Sequence, residues 1–240
     1  MRAFSTLVFG FSTLVLVSVP AFSQPLPSEK ARSDRIARLQ EIVKANSKDV
    51  GTWHDLAGVY REAKDWDKAI AAETRAIEGH PKYAVAYYGR GVAYFYKQNF
   101  PAARADFTKA IDLWQANGGL ERFLTLEQPK PEHIDSYRMR GLAWSHEGKY
   151  AEGIADCDTA LKLKKDDAPL TFEKAYLEQK AGKTKEAVAD YRRAGLLFVD
   201  RGSSRDALLM AKALEDLGAK PESEEILKRL EEAKPKSDLP

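Results

Sequence analysis

Small residues recur along the chain at a fixed separation of 34 positions, and bulky side chains recur between them. The pairs that show this separation are Ala57 and Gly91, Ala69 and Ala103, Ala76 and Ala110, Gly141 and Ala175, and Ala160 and Ala194. Small residues let two helices approach closely, and the bulky side chains fill the space around the contact. The pattern therefore predicts helix pairs at residues 50–83, 84–117, 134–167 and 168–201.

The bulky positions follow one template, which is most complete in the first unit. There the residues run Trp53, Leu56, Ala57 and Tyr60, then Ala69, Ala76 and Pro81. This order and the 34-residue period resemble the tetratricopeptide-repeat (TPR) family. The resemblance implies an all-α fold, an α-solenoid of antiparallel helix pairs wound into a TPR superhelix. Gly148 and Gly182, also 34 apart, are expected where the first helix of a pair ends.

The later units depart from the template. The position of Leu56 is taken by Arg90, Arg140 and Lys174. In the fourth unit Thr171 and Glu178 stand where bulky residues are usual.

The remaining segments complete a linear organisation. Residues 1–23 are predicted to be a signal peptide, 24–49 a linker and capping helix, 118–133 an insertion, 202–233 a degenerate C-terminal repeat or cap, and 234–240 a disordered tail. The insertion follows from Gly91 and Gly141, which are 50 apart, or 34 + 16. Its simpler interpretation is a longer helix with a loop, and its alternative is a flap over the binding groove.

The first 23 residues have the three parts of a secretory signal. A basic start at Arg2 precedes an apolar stretch at residues 7–19, and Pro20 precedes Ala21 and Ser23 at the cleavage positions. The stretch is shorter than the ~20 residues of a membrane span. We expect cleavage before Gln24 and an exported protein, periplasmic or secreted, without an integral membrane span. A retained anchor is the alternative.

Charge and reactive side chains narrow the function classes. With 38 Lys+Arg against 36 Asp+Glu the net charge is only +2, which offers no field for nucleic acid. The single cysteine, Cys157, cannot form an internal disulfide, and its place in the template predicts an inert packing residue. The four histidines show no metal-ligand spacing, and no phosphate loop or nucleophile elbow occurs. We expect no catalytic site, cofactor or metal, and hence no enzyme.

The TPR resemblance implies a protein or peptide partner. In this family the partner is held in a concave groove lined by the first helix of each pair. The matching positions are His54, Arg61, Tyr88, Val92, Phe95, Tyr96, Arg138, Leu142, His146, Phe172 and Tyr176. Tyr88, Phe95 and Tyr96 are predicted to hold the partner, with Arg138 as a polar clamp, because aromatic residues and Arg are enriched at binding hot spots. The alternative is that neighbouring elements bury these side chains.

Two functions are favoured on these grounds, and an enzyme with an unrecognised site is the third alternative. The first is a non-catalytic scaffold or adaptor of the cell envelope, and the second is an accessory subunit that activates or positions an enzyme in an envelope complex. Self-association is left open. The positions of the family's carboxylate clamp for chaperone tails hold His54, Gly58, Gly89 and Met139, which argues against that ligand.

Overall fold

Eleven α-helices and no strand occur in residues 28–116 and 131–233, which are the residues that the computed structural model describes. In chain order they are α1 (Glu29–Ala45), α2 (Val50–Glu62), α3 (Trp66–Gly79), α4 (Ala84–Tyr96), α5 (Phe100–Ala116), α6 (Pro131–His146), α7 (Tyr150–Leu163), α8 (Ala168–Lys180), α9 (Thr184–Asp200), α10 (Ser204–Asp216) and α11 (Lys220–Glu232).

The helices stack in pairs, α2 with α3, α4 with α5, α6 with α7, α8 with α9 and α10 with α11. Each pair also packs against the next, because α3 contacts α4, α5 contacts α6, and so on to the end. The first helices of neighbouring pairs meet directly as well, since α2 contacts α4 and α4 contacts α6. The predicted all-α solenoid of helix pairs is therefore confirmed.

The predicted close contacts lie between the two helices of a pair. Ala57 and Ala175 are fully buried. A Cβ added to Gly91 would lie 2.8 Å from Cε1 of Phe107, and one added to Gly141 would lie 3.0 Å from the carbonyl oxygen of Gly153. No larger side chain fits without moving a neighbouring helix.

The turn within each pair needs a left-handed residue. Gly148 and Gly182 occupy this position with φ of 73° and 76°, as the sequence predicts. In the first two pairs the equivalent residues are Lys64 and Gln98, with φ of 58° and 60°. A non-glycine residue in this region costs about 1 kcal/mol, so helix packing enforces the turn in these two pairs.

Helix α1 and the segment before α6 lie at two of the predicted segment boundaries. Helix α1 packs on α2 through Val43, and Ser28 caps its first turn by accepting a hydrogen bond from the Ala31 amide at 3.2 Å. Helix α6 begins at Pro131, so residues 131–133 of the predicted insertion belong to a helix. The predicted signal peptide, the linker at 24–27, the rest of the insertion and the tail lie outside the described residues.

Candidate partner-binding groove

The N-terminal part of the groove is organised around a buried carboxylate. Glu73 of α3 has no exposed surface, and its carboxylate points towards α2. His54 Nδ1 lies 3.0 Å from Glu73 Oε2, and Arg61 forms an ion pair with the same carboxylate. Gly89 of α4 closes over the cluster, since a Cβ there would lie 2.8 Å from the Glu73 carboxyl carbon. Glu73 thus brings His54 and Arg61 together, and each is partly engaged within the protein.

Glu73 was not singled out from the sequence, although a signal was present. It occupies the template position that holds Phe107, Cys157 and Tyr191 in the later pairs. A charged residue at a core position is stable only with partners. His54 and Arg61 are those partners, which gives both groove residues a structural role.

The middle of the groove contradicts the predicted polar clamp. Arg138 is only 5% exposed, and its Nε lies 2.7 and 2.9 Å from the two carboxylate oxygens of Glu173 on α8. Asp135 lies 3.7 Å from the other side of the guanidinium. Burial raises the pKa of Glu173, and Arg138 opposes that shift. Because its donors are taken by two carboxylates in the interior, Arg138 joins α6 to α8 and is not available to a partner.

Two of the predicted apolar groove residues are also interior. Phe95 is 7% exposed and Leu142 is 3% exposed, and both belong to one core cluster with Phe107 and Met139. Tyr88 and Val92 are partly buried against the same cluster, and burial raises the pKa of Tyr88. The prediction that Phe95 and Leu142 offer surface to a partner is wrong, because α4, α5 and α6 converge on these side chains.

Two pairs of stacked aromatic rings lie at the C-terminal ends of α4 and α6. Tyr96 stacks on Trp66 with ring centroids 4.7 Å apart, and His146 stacks on Phe100 at 4.2 Å. Each stack joins the end of a first helix to the start of the preceding second helix. Tyr96 remains half-buried and His146 exposed, so both can still be reached from outside.

The C-terminal part of the groove is its open part. Phe172 and Tyr176 of α8 are half-buried, and Phe172 packs against the cluster to which α10 contributes Met210. On α10, Leu208 is 50% and Leu209 42% exposed. Together with Ile42, they are the exposed large apolar residues of the described segments. We call Phe172, Tyr176, Leu208 and Leu209 the open segment.

Leu208 was not predicted as a groove residue, because the repeat period changes before α10. Gly182 and Gly218 are 36 apart instead of 34, which places Leu208 one repeat beyond Phe172, at a groove position. The exposure of Leu208 and Leu209 is visible only in the tertiary structure.

The basic residues that depart from the template bridge neighbouring second helices. Arg90 of α4 makes two bonds to Asp106 of α5, at 2.7 and 2.8 Å, and a third to Thr74 of α3 at 3.2 Å. Arg140 repeats this arrangement with Asp156 and Thr108, and Lys174 repeats it with Asp190 and Asp158. Their aliphatic stems replace the template leucine, and their charged ends close the gap between second helices.

Other reactive groups offer no site. Cys157 is fully buried, and burial raises the pKa of its thiol well above the usual value. In the described ranges no group of His, Cys, Asp and Glu side chains is arranged to hold a metal ion. Within the same residues, none of the helices is long and apolar enough to cross a membrane.

Known proteins match this chain through the repeats. The tetratricopeptide-repeat family model matches residues 54–119 and 88–168. Serine/threonine-protein phosphatase 5 of Rattus norvegicus is 28% identical over 142 residues, which are 58% of this chain and 25% of the phosphatase. The chain spans less than half the length of the curated relatives it matches.

Solved structures agree with the fold. MamA superposes with a TM-score of 0.61 at 19% identity over 72% of this chain and 94% of MamA. YrrB, described as a TPR protein with an unusual peptide-binding site, superposes with a TM-score of 0.52 at 18% identity over 79% of this chain and 97% of its own. At these identities the likeness concerns the fold alone. The repeat spacing, the helix pairs and the family match agree, and residues 54–168 of this chain are therefore tetratricopeptide repeats.

Proposed function

We propose that the chain is a non-catalytic scaffold of the cell envelope that binds a partner protein or peptide in the concave groove, at the open segment. Tetratricopeptide repeats in general act as non-catalytic interaction modules. The observation that carries the proposal is the exposure of Leu208 and Leu209 on α10, one repeat beyond the half-buried rings of Phe172 and Tyr176 on α8. Contiguous exposed apolar side chains usually mark an interaction surface.

The open segment is a better candidate than the predicted aromatic positions of the second pair. There, Phe95 and Leu142 already bury their surface within the stack. A partner that covers a leucine as exposed as Leu208 removes apolar area from water and gains about 1–2 kcal/mol. YrrB, whose description names a peptide-binding site, has the same fold and supports a peptide or protein as the ligand.

Site-specific photo-crosslinking tests the groove assignment. A photoreactive amino acid at Leu208 is expected to capture a partner in cells, whereas the same group at Lys162, exposed on α7, is the matched control. Leu208→Glu together with Leu209→Glu should abolish capture from Tyr176 while far-UV circular dichroism stays unchanged. Equal capture from Leu208 and Lys162 would reject the groove.

The envelope location is a separate proposal that rests on residues 1–23. Expression with a C-terminal tag in a Gram-negative host should give a periplasmic protein whose first residue is Gln24. Replacing Ala21 and Ser23 by Tyr should block processing, because signal peptidase requires small side chains at these positions. An unprocessed protein in the cytoplasmic fraction would refute export.

The accessory-subunit function is distinguished by what the partner does. If the captured partner is an enzyme, its activity is measured with the wild-type chain and with the Leu208→Glu, Leu209→Glu variant. Activation by the wild type alone supports an accessory subunit, and binding without a change in activity supports a scaffold.

A further inference from the structure

The second helices and α1 form a row in which one gap differs from the others. Between α1 and α3 lies an open groove of about 580 Å³, and a second cavity of about 690 Å³ continues it towards Gly79 at the end of α3. In the gaps between α3, α5, α7 and α9, the side chains of Arg90, Arg140 and Lys174 occupy the corresponding place.

Sequence differences at three equivalent positions explain why this gap is open. Leu56 stands where Arg90 stands one repeat later, and Ala72 stands where Asp106 stands. On α1 the position of Thr74 is taken by Gln40, whose side-chain amide donates to the Tyr60 hydroxyl at 2.9 Å instead of reaching across. The first gap therefore lacks the long side chain and the carboxylate that close its counterparts.

The lining of the open gap has an apolar floor and a basic rim. Val43, Trp53 and Leu56 contribute the floor, and Lys44, Lys68 and Arg75 contribute the cations at the edges. Each cation contacts an acidic neighbour three positions away, Glu41, Asp65 or Glu78, of which Asp65 is half-buried at the start of α3 and Glu78 lines the continuing cavity. Exposed pairs of this kind are worth about 0–1 kcal/mol, so a ligand carboxylate can replace them at little cost.

We propose that the gap between α1 and α3 is a second docking site, for an acidic segment of a partner protein that carries a bulky apolar side chain. The apolar side chain packs on the half-buried ring of Trp53, above the buried Leu56, and takes the place that Arg90 fills one repeat later. The acidic residues beside it contact Lys44, Lys68 and Arg75. Charge complementarity selects the partner, and burial of the apolar side chain supplies affinity.

The second site is separate from the proposed groove. Its floor on α2 is formed by Trp53, Leu56 and Tyr60, whereas the groove positions of the same helix are His54 and Arg61. Successive residues point in different directions around a helix, so the two sets lie on different sides of α2. The open segment lies on α8 and α10, several pairs away. Both sites can be occupied in the same molecule.

Three labelled peptides of equal length test the chemistry of the site. One alternates blocks of Glu with Leu, the second replaces Glu by Lys, and the third keeps Glu but replaces Leu by Ser. Fluorescence anisotropy with the full chain is expected to show binding of the Glu/Leu peptide, at least about tenfold tighter than either of the others, which corresponds to ~1.4 kcal/mol. The affinity should fall as salt is added.

The decisive variant introduces into the gap between α1 and α3 the ion pair that closes the gap between α3 and α5. Leu56→Arg with Ala72→Asp reproduces the Arg90 and Asp106 pair, which this fold already accommodates, and it should weaken binding of the Glu/Leu peptide at least about tenfold. The matched control is Arg90→Leu with Asp106→Ala, which opens the gap between α3 and α5. In that gap, Glu78 stands at the position equivalent to Lys44, and Ala102 at the position equivalent to Lys68. This control should bind the peptide as the wild type does.

Three results would overturn the proposal. The first is unchanged peptide affinity in the Leu56→Arg, Ala72→Asp variant while circular dichroism shows a folded chain. The second is equal affinity for the Glu/Leu and Lys/Leu peptides. The third is a wild-type oligomer, measured by multi-angle light scattering, that this variant converts to monomer, since the occupant would then be a second copy of the chain.

Discussion

Equivalent positions of the repeat line two neighbouring gaps, one between α1 and α3 and one between α3 and α5. The first gap is open and the second is closed by side chains. In the second, Arg90 bonds Asp106 on one side and Thr74 on the other, and the space is closed. In the first, Leu56 and Ala72 stand at the corresponding positions and a cavity of about 580 Å³ is left. The comparison shows that the side chains at two repeat positions decide whether the gap between neighbouring helices is open or closed.

The last gap, between α9 and α11, is closed in a third way. Ile226 is fully buried there, and a Cβ added to Gly195 would lie 2.2 Å from its Cδ1. Close approach of the two helices fills the gap, and the exposed pair of Arg192 and Glu225 joins them at its edge, with an Arg192 Nη2 to Glu225 Oε1 distance of 2.6 Å. An open first gap is therefore not a general feature of the ends of this stack, which supports a specific role for it.

The largest effect is expected from breaking a bridge on one side only. Asp106→Ala leaves Arg90 without its carboxylate in a site where the two side chains are 19% and 8% exposed. Removing one partner of a buried ion pair costs about 3 kcal/mol or more, and we expect a loss of that size in the free energy of unfolding, measured by urea titration with circular dichroism.

The double change Arg90→Leu with Asp106→Ala is the control for this prediction. It gives the second gap the composition of the first and leaves no unpaired charge, so it should be more stable than Asp106→Ala alone. A double variant less stable than the single one would show that the bridge acts through packing and not through charge.

An intermediate, pH-dependent effect is expected in the third bridge. There Lys174 faces three carboxylates, those of Asp158, Glu178 and Asp190, at 3.2, 3.3 and 2.8 Å. Burial, assisted by Asp190, raises the pKa of Glu178 to about 7, against the opposing effect of Lys174. The folded state thus favours the protonated carboxyl, and the stabilisation it gives is complete below about pH 4.5 and is lost as the pH rises through about 7.

Glu178→Gln should remove this pH dependence. We expect the variant to exceed the wild type in unfolding free energy by about 2 kcal/mol at pH 8, with the difference shrinking towards pH 4.5. Glu152→Gln, at an exposed site on α7, is the matched control and should leave the profile unchanged. A difference between Glu178→Gln and the wild type that stays constant with pH would contradict the assignment.

The smallest effect is expected from making the third bridge resemble the first two. Lys174→Arg supplies a guanidinium that can form two parallel bonds to Asp190, as Arg90 and Arg140 do with their aspartates. A charged bond with this geometry should raise the free energy of unfolding by about 0.5 kcal/mol. A loss of stability would show that the surroundings of Lys174 are shaped for an ammonium group.

The groove was predicted less well than the fold, for a reason visible at particular residues. Ala57, Gly91, Gly141 and Ala175 lie at tight contacts as predicted, because a helix contact constrains residue size at fixed spacing. Arg138, Phe95 and Leu142 were assigned to the groove by position alone, and all three are buried. Exposure at a groove position depends on what the neighbouring pairs supply, such as Glu173 for Arg138, 35 residues away.

The sequence by itself determined the period, the helix pairs and the position of the turns, since each follows from residue size and backbone preference at a few recurring places. Only the tertiary structure decided which charged residues meet. Arg90 finds Asp106 in its own pair and Thr74 in the preceding one because three helices converge there. The same convergence around Leu56 leaves an opening, because short apolar side chains cannot span the distance between two second helices.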